Sequence, residues 1–372
     1  MLITLIAGAR PNFMKIAPLI KAIQQANAAG QDIHYRLVHT GQHYDKNMSD
    51  TFFEELGIPT PDVNLGCGGG TQAQQTANIM VAFEQELLAH PTDLVLVVGD
   101  VTSTMACSIV AKKLNTRVCH VEAGIRSWDL SMPEEINRMV TDSLADYMFT
   151  TSEVANRNLR RQGATMMSDV GCQMSDVGCQ MAEDKYAYER VPQRVWYVGN
   201  VMIDTLLANR ARFRQPDVWN TLALQEKQYI VMTMHRPANV DEENHLRAMM
   251  EQIVDNAHGL PIVFPIHPRT AKLFYNLWGD EEVLAKRFPN LHIVEPLGYL
   301  EFNYLVERAK AVVTDSGGIT EETTVMGVPC ITLRDNTERP ETCTVGTNEL
   351  IGTNPAAIKP ALDKLFAGDW KK

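Results

Sequence analysis

The sequence predicts an α/β protein with two doubly wound parallel sheets. Short apolar runs alternate with longer segments of helical period over the whole chain, which is typical of parallel strands joined by crossover helices. The pattern occurs in both halves of the 372 residues, a length that allows two domains. Several runs end in glycine, serine or charged residues, where ligands bind in open α/β sheets. We therefore expect two Rossmann-like domains that face each other across a cleft.

The predicted strands of the first half read LITLIAG, IHYRLVH, TDLVLVVG, TRVCHVE and DYMFTT. Each is followed by a segment of helical period, so we place an N-terminal Rossmann-like domain at residues 1–165. An irregular inserted loop is predicted at 166–192. It contains the tandem repeat MSDVGCQMSDVGCQ, which we interpret as a duplication in a surface loop because two copies are too few for a repeat fold.

The second half repeats the pattern of the first. Its predicted strands read RVWYVGN, YIVMTMH, PIVFPIH, LHIVEP, AVVTDS and PCITLR, with helical segments between them. This alternation predicts a C-terminal Rossmann-like domain at residues 193–372.

The composition argues against several classes of protein. The formal net charge is −11 and the basic residues are scattered, so we expect no nucleic-acid partner. No apolar run reaches the roughly 18 residues of a membrane span, and the first residues lack the pattern of a signal peptide. The seven cysteines are an odd number without a C-x-x-C pair, so we expect reduced thiols in a cytoplasmic protein and no metal site.

Three acidic residues follow predicted strands of the first half or open the next helix. Asp100 comes after LVLVV and is explained equally well as a helix N-cap or as a catalytic acid. Glu122 comes after TRVCHV, and Arg126 is a possible ion-pair partner. Glu134 follows Pro133 at a predicted helix start, where acids are favourable in any case. Each acid taken singly has a structural explanation, but none of these explanations accounts for the joint position of the acids at adjacent strand ends.

Cationic side chains also lie near strand ends. Arg10 and Lys15 fall at the start of the first predicted helix, where they form either a phosphate site or solvated surface. His235 follows YIVMTM and is either a structural histidine or an acid–base or phosphate-binding group.

The stretch DSGGITEE is the sharpest local signal of the second half. A strand ends in Asp315, and Ser316, Gly317 and Gly318 allow backbone N–H groups to approach an anion at a helix start. Glu322 lies on the first turns of that helix, where its carboxylate is able to accept bonds from ribose hydroxyls. The stretch therefore predicts a diphosphate–ribose site; the alternative is a glycine-rich turn with capping acids.

Nine motifs closely resemble one family. They read GARPNFMKIAP, TGQHYD, GDVTSTMA, HVEAGIRS, MPEEINR, GNVMIDTLL, TMHRP, DSGGITEE and RDNTERPE. In this order they are similar to the non-hydrolysing UDP-N-acetylglucosamine 2-epimerases of bacteria and archaea, from residue 2 almost to the end of the chain. The resemblance implies a GT-B arrangement, with the active site in the cleft between the domains, and an isomerase that uses no cofactor and no metal.

The resemblance also implies a mechanism. Family members interconvert UDP-GlcNAc and UDP-ManNAc by anti elimination of UDP to 2-acetamidoglucal, followed by addition of UDP. The implied catalytic residues are Asp100, Glu122, Glu134 and His235. The implied substrate-binding residues are Arg10, Lys15, Phe302, Ser316, Gly317, Gly318, Glu322 and Arg339, with Phe302 at the uracil.

Two alternatives share these motifs or this fold. The first is an epimerase of a related UDP-2,3-diacetamido uronic sugar, and the second is a GT-B glycosyltransferase, which needs no set of acids around C2. By analogy with the family we expect UDP-GlcNAc, UDP-ManNAc and UDP as ligands, no membrane partner, a cytoplasmic homodimer, and a product used for surface polysaccharide.

Overall fold

The computed structural model describes residues 1–42, 53–167, 193–266 and 268–371. The chain divides into two compact units, Met1–Thr205 and Leu206–Lys372. Among the described residues, the first unit has an eight-stranded sheet and the second a six-stranded sheet. The recorded strand pairs are parallel in both sheets. The predicted α/β class with two doubly wound parallel sheets is therefore confirmed.

The first sheet has the strand order β3-β2-β1-β4-β5-β6-β8-β7. The order reverses between β1 and β4, whose residues Ile3 and Leu94 lie opposite each other. Such a reversal opens a crevice at the carboxyl ends of the two strands. The strands are β1 (Leu2–Ala7), β2 (His34–His39), β3 (Val63–Asn64), β4 (Leu94–Val98), β5 (Arg117–Val121), β6 (Tyr147–Thr150), β7 (Thr165–Met166) and β8 (Arg194–Tyr197).

The helices of the first unit cover this sheet with apolar faces. The second helix begins with a capping box between Thr71 and Gln74, and it buries Ile79, Phe83 and Leu87, which are spaced four residues apart. These side chains pack against buried strand residues of the same hydrophobic cluster. The helices are α1 (Arg10–Ala28), α2 (Gln72–Ala89), α3 (Thr102–Lys113), α4 (Pro133–Leu144) and α5 (Glu153–Arg161). The division between the units falls inside α6 (Val201–Asn209).

The predicted domain boundary at residue 193 needs a correction. Strand β8, expected in the C-terminal domain, pairs with β6 in the first sheet, with Tyr147 opposite Arg194. An apolar run shows that a strand is buried but not which sheet it joins, so its assignment was wrong. The inserted loop predicted at 166–192, with its repeat, lies outside the described residues apart from its first two positions.

The second sheet has the order β11-β10-β9-β12-β13-β14 and reverses between β9 and β12, where Thr233 lies opposite Thr314. Separate apolar clusters contain alternate residues of β9, Ile230 and Met232 in one and Val231 in the other, as expected for a sheet covered on both faces. The strands are β9 (Ile230–Thr233), β10 (Ile262–Pro265), β11 (Leu291–Val294), β12 (Ala311–Thr314), β13 (Cys330–Thr332) and β14 (Asn348–Leu350).

The remaining helices belong to the second unit. Across the described parts of the chain, no helix of either unit is both long and apolar enough to cross a membrane. They are α7 (Asp217–Thr221), α8 (Pro237–Val240), α9 (Glu243–Asp255), α10 (Pro268–Trp278), α11 (Glu281–Arg287), α12 (Tyr299–Arg308), α13 (Gly317–Met326), α14 (Pro340–Thr344) and α15 (Ile358–Ala367).

Candidate active site

The turn between β1 and α1 is built around Asn12. Its Oδ1 accepts the N–H groups of Gly8 and Ala9 at 3.0 Å each, and its Nδ2 donates to the Val98 carbonyl at 3.0 Å. Asn12 thus ties the start of α1 to the end of β4. A Cβ on Gly8 would lie 2.2 Å from Ser103 Oγ, so close approach, rather than a positive φ, requires glycine at this position.

Lys15 and Glu122 form a buried ion pair at the carboxyl ends of the first sheet. Lys15 Nζ contacts Glu122 Oε2, and the two side chains are only 9% and 8% exposed. Gly99, with φ of +66°, lies against this pair, since a Cβ there would be 2.9 Å from Lys15 Nζ. Lys15 therefore lies beside an acid. The alternative pairing of Glu122 with Arg126 is wrong, because Arg126 pairs with Asp142 at 2.7 Å.

Asp100 is held by a buried arginine. Arg138 NH1 lies 2.6 Å from Asp100 Oδ2, and the guanidinium is 2% exposed while the carboxylate is 32% exposed. The N-cap of α3 is Val101, without a side-chain hydrogen bond, so the N-cap explanation for Asp100 is wrong. The Asp100 carboxylate is thus ion-paired on one side and partly open to solvent on the other. Sequence reasoning missed Arg138, although it lies within the motif MPEEINR.

Glu134 and Glu135 both occupy the first turn of α4 but differ in environment. Glu134 is exposed. Glu135 is fully buried, and it accepts the N–H groups of Ser127 at 2.9 Å and Trp128 at 3.1 Å and pairs with Arg138 at 2.7 Å. Burial raises the pKa of Glu135, but the Ser127 amide and Arg138 outweigh this effect and hold the pKa below its usual value. Glu135 therefore orders the loop before α4.

In the second unit, Asp315 fixes His235. Asp315 Oδ2 accepts the N–H groups of His235 at 2.9 Å and Arg236 at 2.8 Å and the Asn239 amide at 3.1 Å. Its Oδ1 lies 2.9 Å from His235 Nδ1, and the His235 side chain is 62% exposed. Burial raises the pKa of Asp315, but its bonds and charge contact with His235 and the Arg236 amide outweigh this and lower the pKa overall. The geometry leaves His235 Nε2 available to a ligand.

The predicted anion site lies at the start of α13. Ser316 is the N-cap residue, with its N–H bonded to Thr314 Oγ1 at 3.0 Å, and Gly317 is the first residue of the helix. A Cβ on Gly317 would lie 2.8 Å from Glu338 Oε1, so a larger residue here would displace the end of the Glu338 side chain, which pairs with Arg334. Gly318 follows in the first turn, where N–H groups have no partner within the helix.

Two further predicted residues of the second unit are buried in polar contacts. Glu322 Oε1 accepts the hydroxyl of Tyr299 at 2.9 Å. Burial and the Glu322 carboxylate raise the pKa of Tyr299 well above its usual value, so the phenol keeps its proton. Arg339 Nε lies 3.0 Å from Glu321 Oε1.

For two predicted residues the structure mainly supplies a backbone position. Phe302 lies in α12, and its N–H donates to the Gly298 carbonyl at 2.9 Å, so this N–H is used within the helix. Arg10 is the first residue of α1. Within the described ranges, no group of three or more His, Cys, Asp or Glu side chains is arranged to hold a metal ion.

Each unit thus places charged groups at the carboxyl ends of strands beside its own point of strand reversal. In the first unit these are Asp100 after β4, Glu122 after β5 and Lys15 in the helix after β1. In the second unit they are His235 after β9 and Asp315 after β12.

Comparison with known proteins gives a consistent family. The family model described as UDP-N-acetylglucosamine 2-epimerase matches residues 25–371. The UDP-N-acetylglucosamine 2-epimerase of Methanocaldococcus jannaschii is 38% identical over 381 residues, covering 100% of this chain and 94% of the relative. The UDP-2,3-diacetamido-2,3-dideoxy-D-glucuronate 2-epimerase of Pseudomonas aeruginosa is 37% identical over 353 residues, covering 95% and 88%.

Solved structures extend the likeness to the fold. The M. jannaschii UDP-GlcNAc 2-epimerase in complex with UDP-GlcNAc and UDP matches with a TM-score of 0.82 and 37% identity, over 100% of this chain and 95% of that one. The Neisseria meningitidis UDP-GlcNAc 2-epimerase bound to UDP-GlcNAc matches with a TM-score of 0.80 and 26% identity, over 99% and 92%. The chain therefore belongs to the UDP-N-acetylglucosamine 2-epimerase family, whose members are isomerases.

Proposed function

We propose that the protein interconverts UDP-GlcNAc and UDP-ManNAc by inverting C2 of the sugar without net hydrolysis. The observation that carries the proposal is the group of paired acidic and basic side chains at the carboxyl ends of the first sheet. Glu122 is paired with Lys15, and Asp100 is paired with Arg138. Each acid thus lies against a cationic side chain at a strand end, where a general base is able to reach a bound sugar.

The chemistry explains why carboxylates and cations are both needed. The C2 proton has no neighbouring carbonyl to activate it, so its removal requires a well-placed base and stabilisation of the leaving diphosphate. A carboxylate takes the C2 proton, the C1–O bond to UDP breaks, and a C1–C2 double bond forms to give 2-acetamidoglucal. UDP then adds back at C1 while a second acid delivers a proton to the opposite face of C2. We assign these proton transfers to Asp100, Glu122 and Glu134 as a set.

We assign the UDP moiety to residues of the second unit. The start of α13 offers N–H groups and a favourable helix dipole to the diphosphate through Ser316, Gly317 and Gly318. His235, oriented at Nδ1 by Asp315, presents Nε2 to the same phosphates or to the departing oxygen, and Nε2 donates to them when the ring carries both protons. Further substrate contacts are proposed for Arg10, Lys15, Phe302, Glu322 and Arg339, with Glu322 at the ribose and Phe302 at the uracil.

One alternative substrate has specific support. The P. aeruginosa relative is 37% identical and is described as an epimerase of a UDP-2,3-diacetamido uronic sugar. Such a sugar adds a second acetamido group and a carboxylate to the ring. Incubating the protein with each nucleotide sugar separately distinguishes the two, because only the true substrate will be epimerised at a useful rate.

Proton NMR in D2O tests the proposed reaction. UDP-GlcNAc incubated with the protein should give a UDP-ManNAc signal and deuterium at C2 of both sugars. Absence of exchange and of product, or release of UDP and free sugar alone, would refute the proposal.

The roles of the acids are tested by substitution. Asp100→Asn, Glu122→Gln and Glu134→Gln should each lower turnover by about a hundredfold or more, as expected for general acid–base groups. Glu153→Gln is the matched control, since Glu153 is an exposed carboxylate that pairs with Arg160 on the surface. A near-native rate for any of the three variants would remove that acid from its role.

The assembly and use of the product follow from the family resemblance. We propose a cytoplasmic homodimer that supplies ManNAc-type sugars for surface polysaccharide. Analytical ultracentrifugation tests the dimer, and loss of a ManNAc-containing surface glycan on gene deletion tests the use of the product.

A further inference from the structure

A fully buried charged cluster lies behind the turns that carry Asp100 and Glu122. It consists of His120 in β5, Asp142 in α4, and Arg126, all with side chains 0% exposed. His120 Nδ1 lies 2.7 Å from Asp142 Oδ1, and Arg126 NH1 lies 2.7 Å from Asp142 Oδ2. Charges are rarely buried to this degree unless each is paired, so the cluster requires a structural or functional reason.

Both ring nitrogens of His120 face oxygen acceptors. Nε2 lies 2.8 Å from the Gly99 carbonyl, which only accepts, so this nitrogen donates. Nδ1 faces Asp142, and burial raises the pKa of Asp142 but His120 and Arg126 outweigh it and lower the pKa overall. The imidazole thus bridges the Gly99 carbonyl and the Asp142 carboxylate through its two ring nitrogens.

The two ends of the cluster hold two separate turns. The Gly99 carbonyl, bonded to His120, belongs to the residue directly before Asp100, and Gly99 has a φ of +66°. Asp142 Oδ2 accepts the N–H of Gly124 at 3.0 Å, two residues after Glu122. His120 and Asp142 together thus join the backbone of one acid-bearing turn to the backbone of the other.

The backbone at Glu122 is strained, and the cluster helps to hold it. Glu122 has a φ of +76°, a left-handed conformation that a side chain with a Cβ rarely adopts. Such residues persist only where their surroundings over-determine them, and they concentrate at functional sites. Here the N–H groups of Glu122 and Ala123 both donate to the Phe149 carbonyl, at 2.9 and 3.0 Å, and the Gly124 N–H donates to Asp142. Asp142 is therefore part of what keeps the Glu122 carboxylate in place.

We infer that His120 and Asp142 are positioning residues that set the relative placement of the Asp100 and Glu122 carboxylates across the reacting sugar. The inference rests on the proposed function, since it gives the two acids a shared substrate. It assigns no contact with the substrate to His120 or Asp142. Their effect is on geometry, and a misplacement of about 1 Å at a reacting centre is enough to lower a rate by about a hundredfold.

A part-buried charged contact at the other end of β5 supplies a control. Asp146, four residues after Asp142, accepts the Val118 N–H at 2.8 Å and pairs with Lys112 at 2.7 Å. It ties down the amino end of β5, whereas His120 and Asp142 act at the carboxyl end. Asp146→Asn therefore removes a charged contact to β5, although a less buried one, without touching the acid-bearing turns.

The test compares His120→Phe, Asp142→Asn and Asp146→Asn in the full chain. In the two cluster variants kcat should fall by about a hundredfold, while KM and the Kd of UDP, measured by calorimetry, stay close to wild type. Asp146→Asn should lose thermal stability but keep its kcat. His120→Gln, which retains one donor, is the milder variant if His120→Phe does not fold, and it should show the same loss of kcat with unchanged UDP binding.

Two results would overturn the inference. One is a folded His120 variant with kcat close to wild type. The other is an Asp146→Asn variant that loses as much kcat as His120→Gln at equal thermal stability, because the effect would then be general destabilisation. Wild-type protein is assayed alongside for C2 exchange in D2O, so failure of the proposed function, which abolishes exchange in wild type, is distinguished from failure of this inference.

Discussion

Replacing Asp315 by asparagine should uncouple His235 from the second sheet. The carboxylate accepts three N–H groups at Oδ2 and lies 2.9 Å from His235 Nδ1 at Oδ1. An amide has one oxygen, and it will face the three donors, because turning the NH2 group toward them leaves three donors unpaired. The NH2 group then faces His235 Nδ1, which must become an acceptor, so the proton of the ring is confined to Nε2.

The size of the effect follows from these contacts. A hydrogen bond to a charged group contributes about 1.5–3 kcal/mol and a neutral one about 0.5–1.5 kcal/mol. The three hydrogen bonds at Oδ2 lose their charge assistance and the ion contact at Oδ1 is lost, so we expect a loss of about 3 kcal/mol in the second unit, similar to breaking a buried charged pair. That loss corresponds to about a hundredfold faster amide hydrogen exchange in β9 and β12, which flank the contact.

The effect should depend on pH in a defined direction. The folded-state pKa of Asp315 is lowered from its ordinary value, so its stabilisation is fully present above the unfolded-state value of about 3.9 and is lost as pH falls through the folded-state pKa. The difference in unfolding free energy between wild type and Asp315→Asn should therefore be constant from pH 7 to about pH 5 and should shrink below about pH 4. Urea unfolding at a series of pH values measures this difference.

The control for Asp315→Asn is a substitution at another carboxylate of the second unit. Asp335→Asn changes an exposed carboxylate of the same unit, which accepts the Thr353 N–H at 3.0 Å, and it should leave β9 and β12 protected. Wild-type amide exchange in Asp315→Asn at neutral pH would show that Asp315 does not stabilise β9 and β12. A ring proton of His235 still on Nδ1 of this variant, seen by nitrogen-15 NMR, would contradict the expected change of tautomer.

Two further substitutions in the first unit test contacts that the sequence did not reveal. Gly8→Ala should destabilise the protein by about 1–3 kcal/mol, because the new Cβ lies 2.2 Å from Ser103 Oγ and 2.7 Å from Ser103 Cβ. Urea unfolding measures this loss of unfolding free energy. Adding Ser103→Gly to the Gly8→Ala variant should recover most of it. A double variant that recovers none of it would show that the contact with Ser103 is not the cause. Arg138→Met leaves Glu135 buried without its cation and should cost about 3–5 kcal/mol together with a fall in turnover, since Asp100 also loses its partner. An Arg138→Met variant that unfolds at the same urea concentration as wild type and keeps the wild-type turnover would contradict this expectation.

Much of the fold was predictable because its signals are local. Buried parallel strands are short apolar runs, and the helices between them have a 3.6-residue period, so both sheets were recognisable from the alternation. Strand β14 was not predicted, since its three residues read NEL and form no apolar run. Strand β8 was recognised as a strand but assigned to the wrong sheet, because its apolar residues Val195 and Trp196 suit either core.

The candidate site was predictable in its members but not in its contacts. Asp100, Glu122 and Lys15 were identified because they follow strands or open a helix, and strand ends are where ligands bind. Asn12 and Arg138 were missed, since their hydrogen-bond partners Val98 and Asp100 are 86 and 38 positions away in the chain.

The sequence by itself determined the fold class, the family, and which charged residues stand at strand ends, because periodicity and motif spacing are properties of neighbouring residues. Only the tertiary structure decided which of these charges pair. Lys15 joins Glu122, Arg126 turns to Asp142, and Arg138 holds Asp100. The reason is that a Coulomb or hydrogen-bond energy depends on distance through space, and parallel strands joined by long crossovers bring together residues that are far apart in the chain.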